Sequence, residues 1–371
     1  MADHATITSS QTSPQYTGLR LLFEDLLINY SYNGAEFWIL ASMDVSDLLT
    51  SYDLENSVEG KVLWQLDDLG SQEPSEENFN RVFQIRDEFA KVVGNACITL
   101  MLNLAPTTPL PEVRTLHDYM YPETHYLRVI TEDGQLVGHK LHDYAPPPQY
   151  PPIPDEELKA LDLDTDLPTF NASQVVLRKR FQSCIWEVDV EGELMVCKAS
   201  FQRHFWNSLS DELLTYQKIR RAGDGLLVPK LKVNVIEGIV KSHEGVVGIL
   251  ISLIPKKHHS LRTLLQHIDH GTVSEAAASP ALKKKWAGQI KHTLARLHGL
   301  GILWRDIKID NVIIDDNDDA IVHDFGGGNT LGWVDEGKHG TVEGDLQGLE
   351  KILKILGNEM GYPVYVPQGQ D

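Results

Sequence analysis

The sequence predicts a mixed α+β protein, and three observations support this prediction. Short apolar runs separated by turn signals occupy residues 174–251, and longer segments with helical periodicity follow from about residue 259. Both kinds of pattern also occur before residue 145, and a proline-rich stretch separates the two regions. Strands followed mainly by helices are typical of the α+β class.

The composition indicates a globular protein with an acidic excess. The chain has 371 residues, enough for two domains, and 33 basic against 53 acidic residues give a formal net charge of −20. Nucleic acids and anionic membranes need clustered Lys and Arg, so we expect neither as a main partner. The three scattered cysteines lack metal-ligand spacing and predict a reducing compartment. Without a signal-peptide pattern we expect a cytoplasmic protein, with the nucleus as an open alternative.

Composition shifts predict four segments. Residues 1–16 are rich in serine and threonine and predict a disordered tail. Residues 17–145 form an α+β region to which the sequence assigns no function. Residues 146–168 combine clustered prolines with acidic residues and predict a stiff linker. Residues 169–371 form the domain that contains the motifs described below.

In the N-terminal region, apolar residues recur at helical spacing and predict a helix from about residue 76 to 102. Asp133-Gly134 suits a type I′ turn and predicts a hairpin between 126–130 and 135–137. No nucleophile–base pattern occurs there, so we expect its residues to be structural.

In residues 169–371, the sequence pattern predicts strands first and helices afterwards. Strands are expected at 174–177, 185–188, 194–198, 231–233 and 246–251, with a helix at about 210–221 between the third and the fourth. Helices are expected at about 259–269 and 280–298. Pro280 suits the first turn of the second helix, and Gly299 is its expected C-terminal cap.

Two short motifs follow this helix. Residues 305–311 have the form R-D-x-K-x-x-N, and residues 324–326 read D-F-G. The apolar runs between them, 312–314 and 320–322, predict a hairpin. Such a hairpin would place Asn311 and Asp324 side by side, close enough to share a cation.

These motifs, in this order and spacing, resemble those of the protein-kinase superfamily, and the small kinase-like proteins of fungi in particular. The resemblance implies a bilobal protein kinase-like fold, with a small lobe at about 169–251 and a large lobe at about 255–371. It also implies a shortened helical C-lobe, since only 26 residues follow Asp345. The α+β region before residue 145 stays outside the resemblance.

The resemblance implies a site for ATP and Mg²⁺. Lys198 corresponds to the lysine that contacts the α- and β-phosphates, and Glu212 to the helix glutamate that orients it. Both residues are therefore expected to bind the nucleotide.

Four further residues would perform the chemistry. The resemblance implies that Asp306 accepts the proton of the incoming hydroxyl and that Lys308 neutralises the transferred phosphoryl group. Asn311 and Asp324 would be the Mg²⁺ ligands. Lys308 is typical of kinases that phosphorylate serine or threonine, so we expect a Ser/Thr hydroxyl of a protein as the acceptor.

Several departures from the family pattern bear on activity. No glycine occurs at 178–184, where the glycine-rich loop would lie, and Trp304 replaces the histidine of H-R-D. The segment from Asp324 to Asp345 is short and lacks A-P-E. Within it, Thr330 and Thr341 are weak phosphorylation candidates.

Two residues near the motifs have other expected roles. Arg305 could pair with a phosphate on the segment that follows Asp324. Asp345 is expected to tie down the backbone of the R-D-x-K-x-x-N loop.

Two alternative functions remain open. A small-molecule kinase, like the aminoglycoside and choline kinases, is favoured by the compact large lobe and disfavoured by Lys308. A catalytically weak pseudokinase scaffold is favoured by the missing glycines. The acceptor is thus a protein or a small molecule, and the sequence does not specify the oligomeric state.

Overall fold

The structure is a computed structural model that describes residues 14–22, 25–42, 52–72, 75–105, 113–142, 153, 156, 159, 167–182, 184–199, 206–223, 231–255, 260–328 and 330–357. These residues form seven α-helices and thirteen β-strands, so the mixed α+β class is confirmed. The chain divides into two compact units, Met1–Arg114 with Asp118–Pro147, and Thr115–His117 with Pro148–Asp371. Among the described residues, no helix combines the length and apolarity that a membrane crossing requires.

The first unit contains a five-stranded sheet whose strands lie in chain order: β1 (Gln15–Leu22), β2 (Asp25–Tyr32), β3 (Ala35–Ser42), β4 (Thr124–Glu132) and β5 (Gln135–Lys140). Neighbouring strands are antiparallel except β3 and β4. That parallel pair needs a long connection, which includes α1 (Val58–Ser71) and α2 (Glu76–Leu104). A short helix, α3 (Leu116–Met120), precedes β4.

Helix α2 confirms the helix predicted from residue 76 to 102. Phe89, Val93 and Cys97, at helical spacing, lie in the buried core of the first unit. Ser75 caps the helix by accepting a hydrogen bond from the backbone N–H of Asn78 at 3.1 Å.

The predicted hairpin of β4 and β5 is also present. Asp133 and Gly134 have φ angles of 49° and 78°, as a type I′ turn requires. The β2–β3 hairpin, which was not predicted, turns in the same way at Asn33 and Gly34, with φ angles of 51° and 87°.

The second unit begins with a six-stranded sheet of β6 (Thr169–Asn171), β7 (Val176–Gln182), β8 (Ile185–Val190), β9 (Glu193–Ala199), β10 (Ile236–Ser242) and β11 (Gly245–Ser252). The spatial order is β6-β10-β11-β9-β8-β7. Helix α4 (Trp206–Gly223) follows β9 in the chain. Leu213 and Tyr216 of α4 lie in the same buried core as Ile249 of β11.

Helices predominate in the rest of the second unit: α5 (Leu261–Asp269), α6 (Pro280–Gly299) and α7 (Val342–Ile355), with the β12 (Val312–Ile314) and β13 (Ala320–Val322) hairpin between α6 and α7. The apolar stripe of α6, including Trp286, Ile290 and Leu294, is fully buried. The loop that joins α6 to β12 contains the R-D-x-K-x-x-N motif.

Two strand predictions in this unit are wrong in position. The strand expected at 231–233 makes only one bridge, from Val233 to Val322, and the strand of the sheet is β10 instead. Gly238 weakens the strand signal of β10, yet a methyl group there would come within 2.7 Å of the Pro168 carbonyl oxygen. The strand expected at 174–177 begins at Val176, because residues 172–174 form a 3₁₀ turn.

The predicted cap of α6 is also wrong. Gly299 is the last helical residue, and Leu300 is the C-cap. The glycine that adopts a left-handed conformation is Gly301, with a φ of 68°.

Most of the predicted tail and linker lies outside the described residues. Of residues 1–16, the structure describes only the last three, and β1 already begins at Gln15. In the predicted linker, 146–168, Ile153 pairs with Val246 of β11.

Candidate functional site

Lys198, at the end of β9, links two carboxylates of the second unit. Its Nζ lies 2.6 Å from Oε1 of Glu212 in α4 and 2.7 Å from Oδ1 of Asp324. The alternation of β9 turns Lys198 to the side of the sheet that faces these groups, and its side chain is only 11% exposed. The structure therefore brings together three predicted site residues that lie up to 126 positions apart in sequence.

The electrostatics of this group leave a surplus of negative charge. Burial lowers the pKa of Lys198, but the Glu212 and Asp324 carboxylates outweigh it and raise this pKa above the usual value. Burial raises the pKa of Glu212 more than the Lys198 ammonium lowers it. Burial also acts to raise the pKa of Asp324, but Lys198 and His323 together hold it below its usual value. One ammonium serves two carboxylates, so the group is suited to a further cation.

Asp306 lies in a second group formed by its own loop and by the segment after Asp324. Lys308 Nζ donates to Asp306 Oδ2 at 2.5 Å, and Asn311 Nδ2 donates to the Asp306 carbonyl oxygen at 2.8 Å. Thr330 donates its hydroxyl to Asp306 Oδ1 at 2.9 Å and accepts from Lys308 Nζ at the same distance. The structure thus brings Asp306, Lys308 and Asn311 together, and it adds Thr330.

The hydroxyls of Thr330 and Thr341, the two weak phosphorylation candidates, both make hydrogen bonds. The hydroxyl of Thr330 is bonded to Asp306 and Lys308. Thr341 caps α7 by accepting from the backbone N–H of Gly344 at 3.1 Å. Arg305, which could pair with a phosphate on this segment, pairs here with Asp211 of α4 at 2.9 Å.

Asp345 anchors the loop that carries Asp306. It is 1% exposed and accepts hydrogen bonds from the backbone N–H groups of Trp304 at 2.8 Å and Arg305 at 2.9 Å. His298 of α6 lies 2.9 Å from the same carboxylate. Gly348, one turn later in α7, permits this approach, since a methyl group there would come within 2.0 Å of Ile307 Cγ2. The predicted role of Asp345 in tying down this loop is therefore confirmed.

Trp304 connects this loop to the D-F-G segment. Its indole N–H donates to the backbone carbonyl of His323 at 3.0 Å, and its ring is fully buried. His323 directly precedes Asp324, which holds a left-handed backbone conformation with a φ of 67°. Trp304, which stands where H-R-D motifs have histidine, thus stabilises the position of Asp324.

We expect Trp304→Phe to lower the free energy of unfolding by about 1–3 kcal/mol, because it removes the N–H that donates to the His323 carbonyl and leaves space where the larger buried ring packed. Urea unfolding followed by circular dichroism would measure this change. Trp333→Phe is the matched control, since Trp333 is only partly buried and packs at the edge of the same core. Equal losses in the two variants would contradict the role of the indole N–H.

Asn311 and Asp324 have the chemistry of a Mg²⁺ site. The backbone N–H of His323 donates to the Asn311 carbonyl at 3.2 Å, at the open end of the β12–β13 hairpin. Asn311 directly precedes β12 and Asp324 follows β13 by two residues, so the two candidate ligands lie at the same end of this hairpin. Asn311 directs its Nδ2 to Asp306, so its amide oxygen is the atom that can face a cation. No cluster of three or more His, Cys, Asp or Glu ligands occurs among the described residues. Mg²⁺ keeps several waters and needs only one or two protein oxygens, which this pair supplies.

The hairpin of β7 and β8 lies where the family pattern has a glycine-rich loop. Gln182 pairs with Ile185, so only two residues separate the paired positions. Arg180 places its guanidinium 5.4 Å from the centre of the Trp186 ring and donates from Nε to the Gln182 carbonyl at 3.2 Å. Both of these contacts lie within the hairpin.

The chain has a weak similarity to a protein named as a kinase subunit. No model of a known protein family matches the chain. Over 128 residues it is 27% identical to the CTD kinase subunit alpha of Schizosaccharomyces pombe, and the alignment covers 32% of this chain. The chain spans only 21% of the length of that relative. This partial similarity indicates a distant kinase-like relationship.

Proposed function

We propose that this protein is a phosphotransferase of the kinase-like class, which uses ATP and Mg²⁺ in a two-lobed domain formed by residues 169–371. Within that class, the acceptor that the site supports best is a serine or threonine hydroxyl of a protein. The similarity to a protein named as a kinase subunit agrees with the class and bears on neither the nucleotide nor the acceptor.

The contacts of Lys198 give the proposal its main support. A buried lysine held by a helix glutamate is oriented for phosphate oxygens, and Asp324 beside it is available to a metal ion. The ammonium of Lys198 lies within 3 Å of both carboxylates. Burying three charged groups together costs free energy of desolvation, so a functional role is a reasonable explanation for their presence. The ordered motifs of the sequence lead to the same three residues.

In the proposed reaction, the acceptor oxygen bonds to the γ-phosphorus while the bond between that phosphorus and the bridging oxygen breaks. Asp306 receives the proton of the hydroxyl, and ADP leaves. Lys308, 2.5 Å from Asp306, would neutralise charge on the transferred group. Bound Mg²⁺ would screen the phosphates, with Asn311 and Asp324 as its protein ligands.

One observation favours a second candidate, a catalytically weak scaffold. Asp306 is only 7% exposed, and both of its carboxylate oxygens already accept hydrogen bonds from Thr330, Lys308 and Asn311. An acceptor hydroxyl would therefore have to compete for Asp306 with groups that already bind it. A small-molecule acceptor, the third possibility, has no specific contact in its favour.

Thermal unfolding with ATP tests the nucleotide site. We expect ATP with Mg²⁺ to raise the Tm of the wild type, because ligand at 100 times its Kd adds about 2.7 kcal/mol to the stability of the folded state. Asp324→Ala should lose the Mg²⁺-dependent part of this rise. Asp335→Ala, which removes an exposed aspartate paired with Lys338, is the control and should behave as the wild type.

The outcomes separate the candidates. A shift with ATP that Mg²⁺ and Asp324→Ala leave unchanged would point to nucleotide binding without the metal site. No shift at millimolar ATP would refute the phosphotransferase proposal and favour the scaffold.

A further inference from the structure

Helix α4 is joined to two parts of the site by consecutive residues. Glu212 binds Lys198 at 2.6 Å, and Asp211 binds Arg305 Nη1 at 2.9 Å. Arg305 directly precedes Asp306. The helix that orients the lysine is therefore also attached to the loop that carries the candidate base.

The backbone and the side-chain stem of Arg305 are held in place independently of this ion pair. Its backbone N–H donates to Asp345 at 2.9 Å, and its φ of 69° is unusual for a residue other than glycine. A methyl group on Gly327 would lie 3.6 Å from Cδ of Arg305, so the stem runs beside the segment after Asp324. The guanidinium is thus directed towards α4 by its surroundings.

The segment between Asp324 and Asp345 has few side chains that could carry a phosphate for Arg305 to bind. Its only hydroxyl side chains are those of Thr330 and Thr341. A phosphate on Thr330 would bring a charge of about −2 next to the Asp306 carboxylate. A phosphate on Thr341 would remove the hydroxyl proton that Thr341 now donates to the Lys338 carbonyl oxygen at 2.8 Å. Both threonines therefore have structural bonds that phosphorylation would break.

We propose that Asp211 is a positioning residue that supplies, from α4, the negative charge that holds Arg305, so that the site assembles without phosphorylation of the segment after Asp324. This inference rests on the proposed phosphotransferase function. The Arg305 and Asp211 side chains are 38% and 47% exposed, so water and salt screen the pair. We therefore expect a moderate effect on the rate, about fivefold, that decreases at high salt.

The test uses the full chain treated with phosphatase, with intact mass confirming that no phosphate remains. We expect wild-type turnover of ATP with dephosphorylated casein to be unchanged by this treatment. Asp211→Asn should lower kcat about fivefold and leave the KM for ATP unchanged, because the ion pair positions the loop and does not contact the nucleotide. The exchanged pair, Asp211→Arg with Arg305→Asp, should recover part of kcat, and Asp335→Asn should have no effect.

Hydrogen–deuterium exchange of the same variants gives a readout that does not depend on activity. Asp211→Asn should raise exchange in peptides covering residues 206–223 and 302–311 and leave peptides of the first unit unchanged. Unchanged exchange at 302–311, or a wild type that works only when Thr330 or Thr341 is phosphorylated, would overturn the inference. If the wild type neither binds ATP nor turns it over, the proposed function fails. In that case the exchange at 302–311 still decides whether Asp211 holds the loop.

Discussion

Asp306→Asn should lower the rate of phosphoryl transfer by about two to four orders of magnitude, the range of rate enhancement for general acid–base catalysis. Asparagine has nearly the same shape and can still bond to Lys308 and Thr330, but it cannot take the proton of the acceptor. Because the Lys198 group is separate from these contacts, the affinity for ATP should be preserved. Single-turnover transfer of labelled phosphate to casein would measure the rate.

The control for this prediction is that the variant still folds and binds ATP. Asp306 lies in a buried network, so the Asn variant must first show the thermal unfolding and the ATP-dependent Tm shift of the wild type. With those preserved, a loss of less than tenfold would mean that Asp306 is not the base. Residual transfer at such a level is what positioning and charge neutralisation by other groups would supply.

Lys198→Met should cost about 3–5 kcal/mol of folding free energy at pH 7, because it leaves two carboxylates without their shared counter-ion. Glu212 has a side chain only 4% exposed and cannot regain its hydration without opening the structure. The variant should also lose the Tm shift with ATP. Denaturant unfolding monitored by circular dichroism would give the change in free energy.

The cost of Lys198→Met should depend on pH in a defined direction. Burial already raises the pKa of Glu212 in the wild type, and removing Lys198 takes away the main group that lowers it. An acid whose pKa is higher in the folded state than in the unfolded chain destabilises the fold at pH values above its unfolded pKa, and this cost disappears as the pH falls to that value. The deficit of the variant relative to the wild type should therefore shrink as the pH falls from 7 towards the unperturbed glutamate value of 4.5.

A second substitution separates the effect of the buried charge from the effect of lost packing. Adding Glu212→Gln to Lys198→Met removes the buried charge that lacks a partner, so the double variant should be more stable at pH 7 than Lys198→Met alone. The two should converge at low pH. A deficit that is constant across this pH range would show that lost packing of the lysine stem, and not charge, sets the cost.

The sequence predicts these residues well where spacing is local. Asp306 and Asn311 share one loop, and a short hairpin brings Asp324 next to Asn311, so the order of residues alone specifies their proximity. The same holds for the hairpin at Asp133-Gly134. Asn33-Gly34 carries an equally strong turn signal between two apolar runs and could have predicted β2 and β3.

The remaining contacts depend on tertiary geometry that no short pattern encodes. Asp211 and Arg305 are 94 positions apart, and nothing in either neighbourhood marks them as partners. Trp304 donates to a backbone carbonyl, and every residue has one, so the sequence does not indicate which residue accepts the hydrogen bond. The hydroxyl of Thr330 meets Asp306 only because the short glycine-rich segment returns to it. A methyl group on Gly328 would lie 3.1 Å from Asp306 Cγ, and this close approach is the reason for a glycine there.

The two-position turn between β7 and β8 bears on how long a nucleotide would stay bound. A long glycine-rich loop can close over phosphates, and the opening of such a lid often limits the release of product. Beside a turn this short, ADP could depart without waiting for a lid. Without a lid, water would also reach the γ-phosphate before an acceptor arrives, so the proposed phosphotransferase would hydrolyse ATP in competition with transfer.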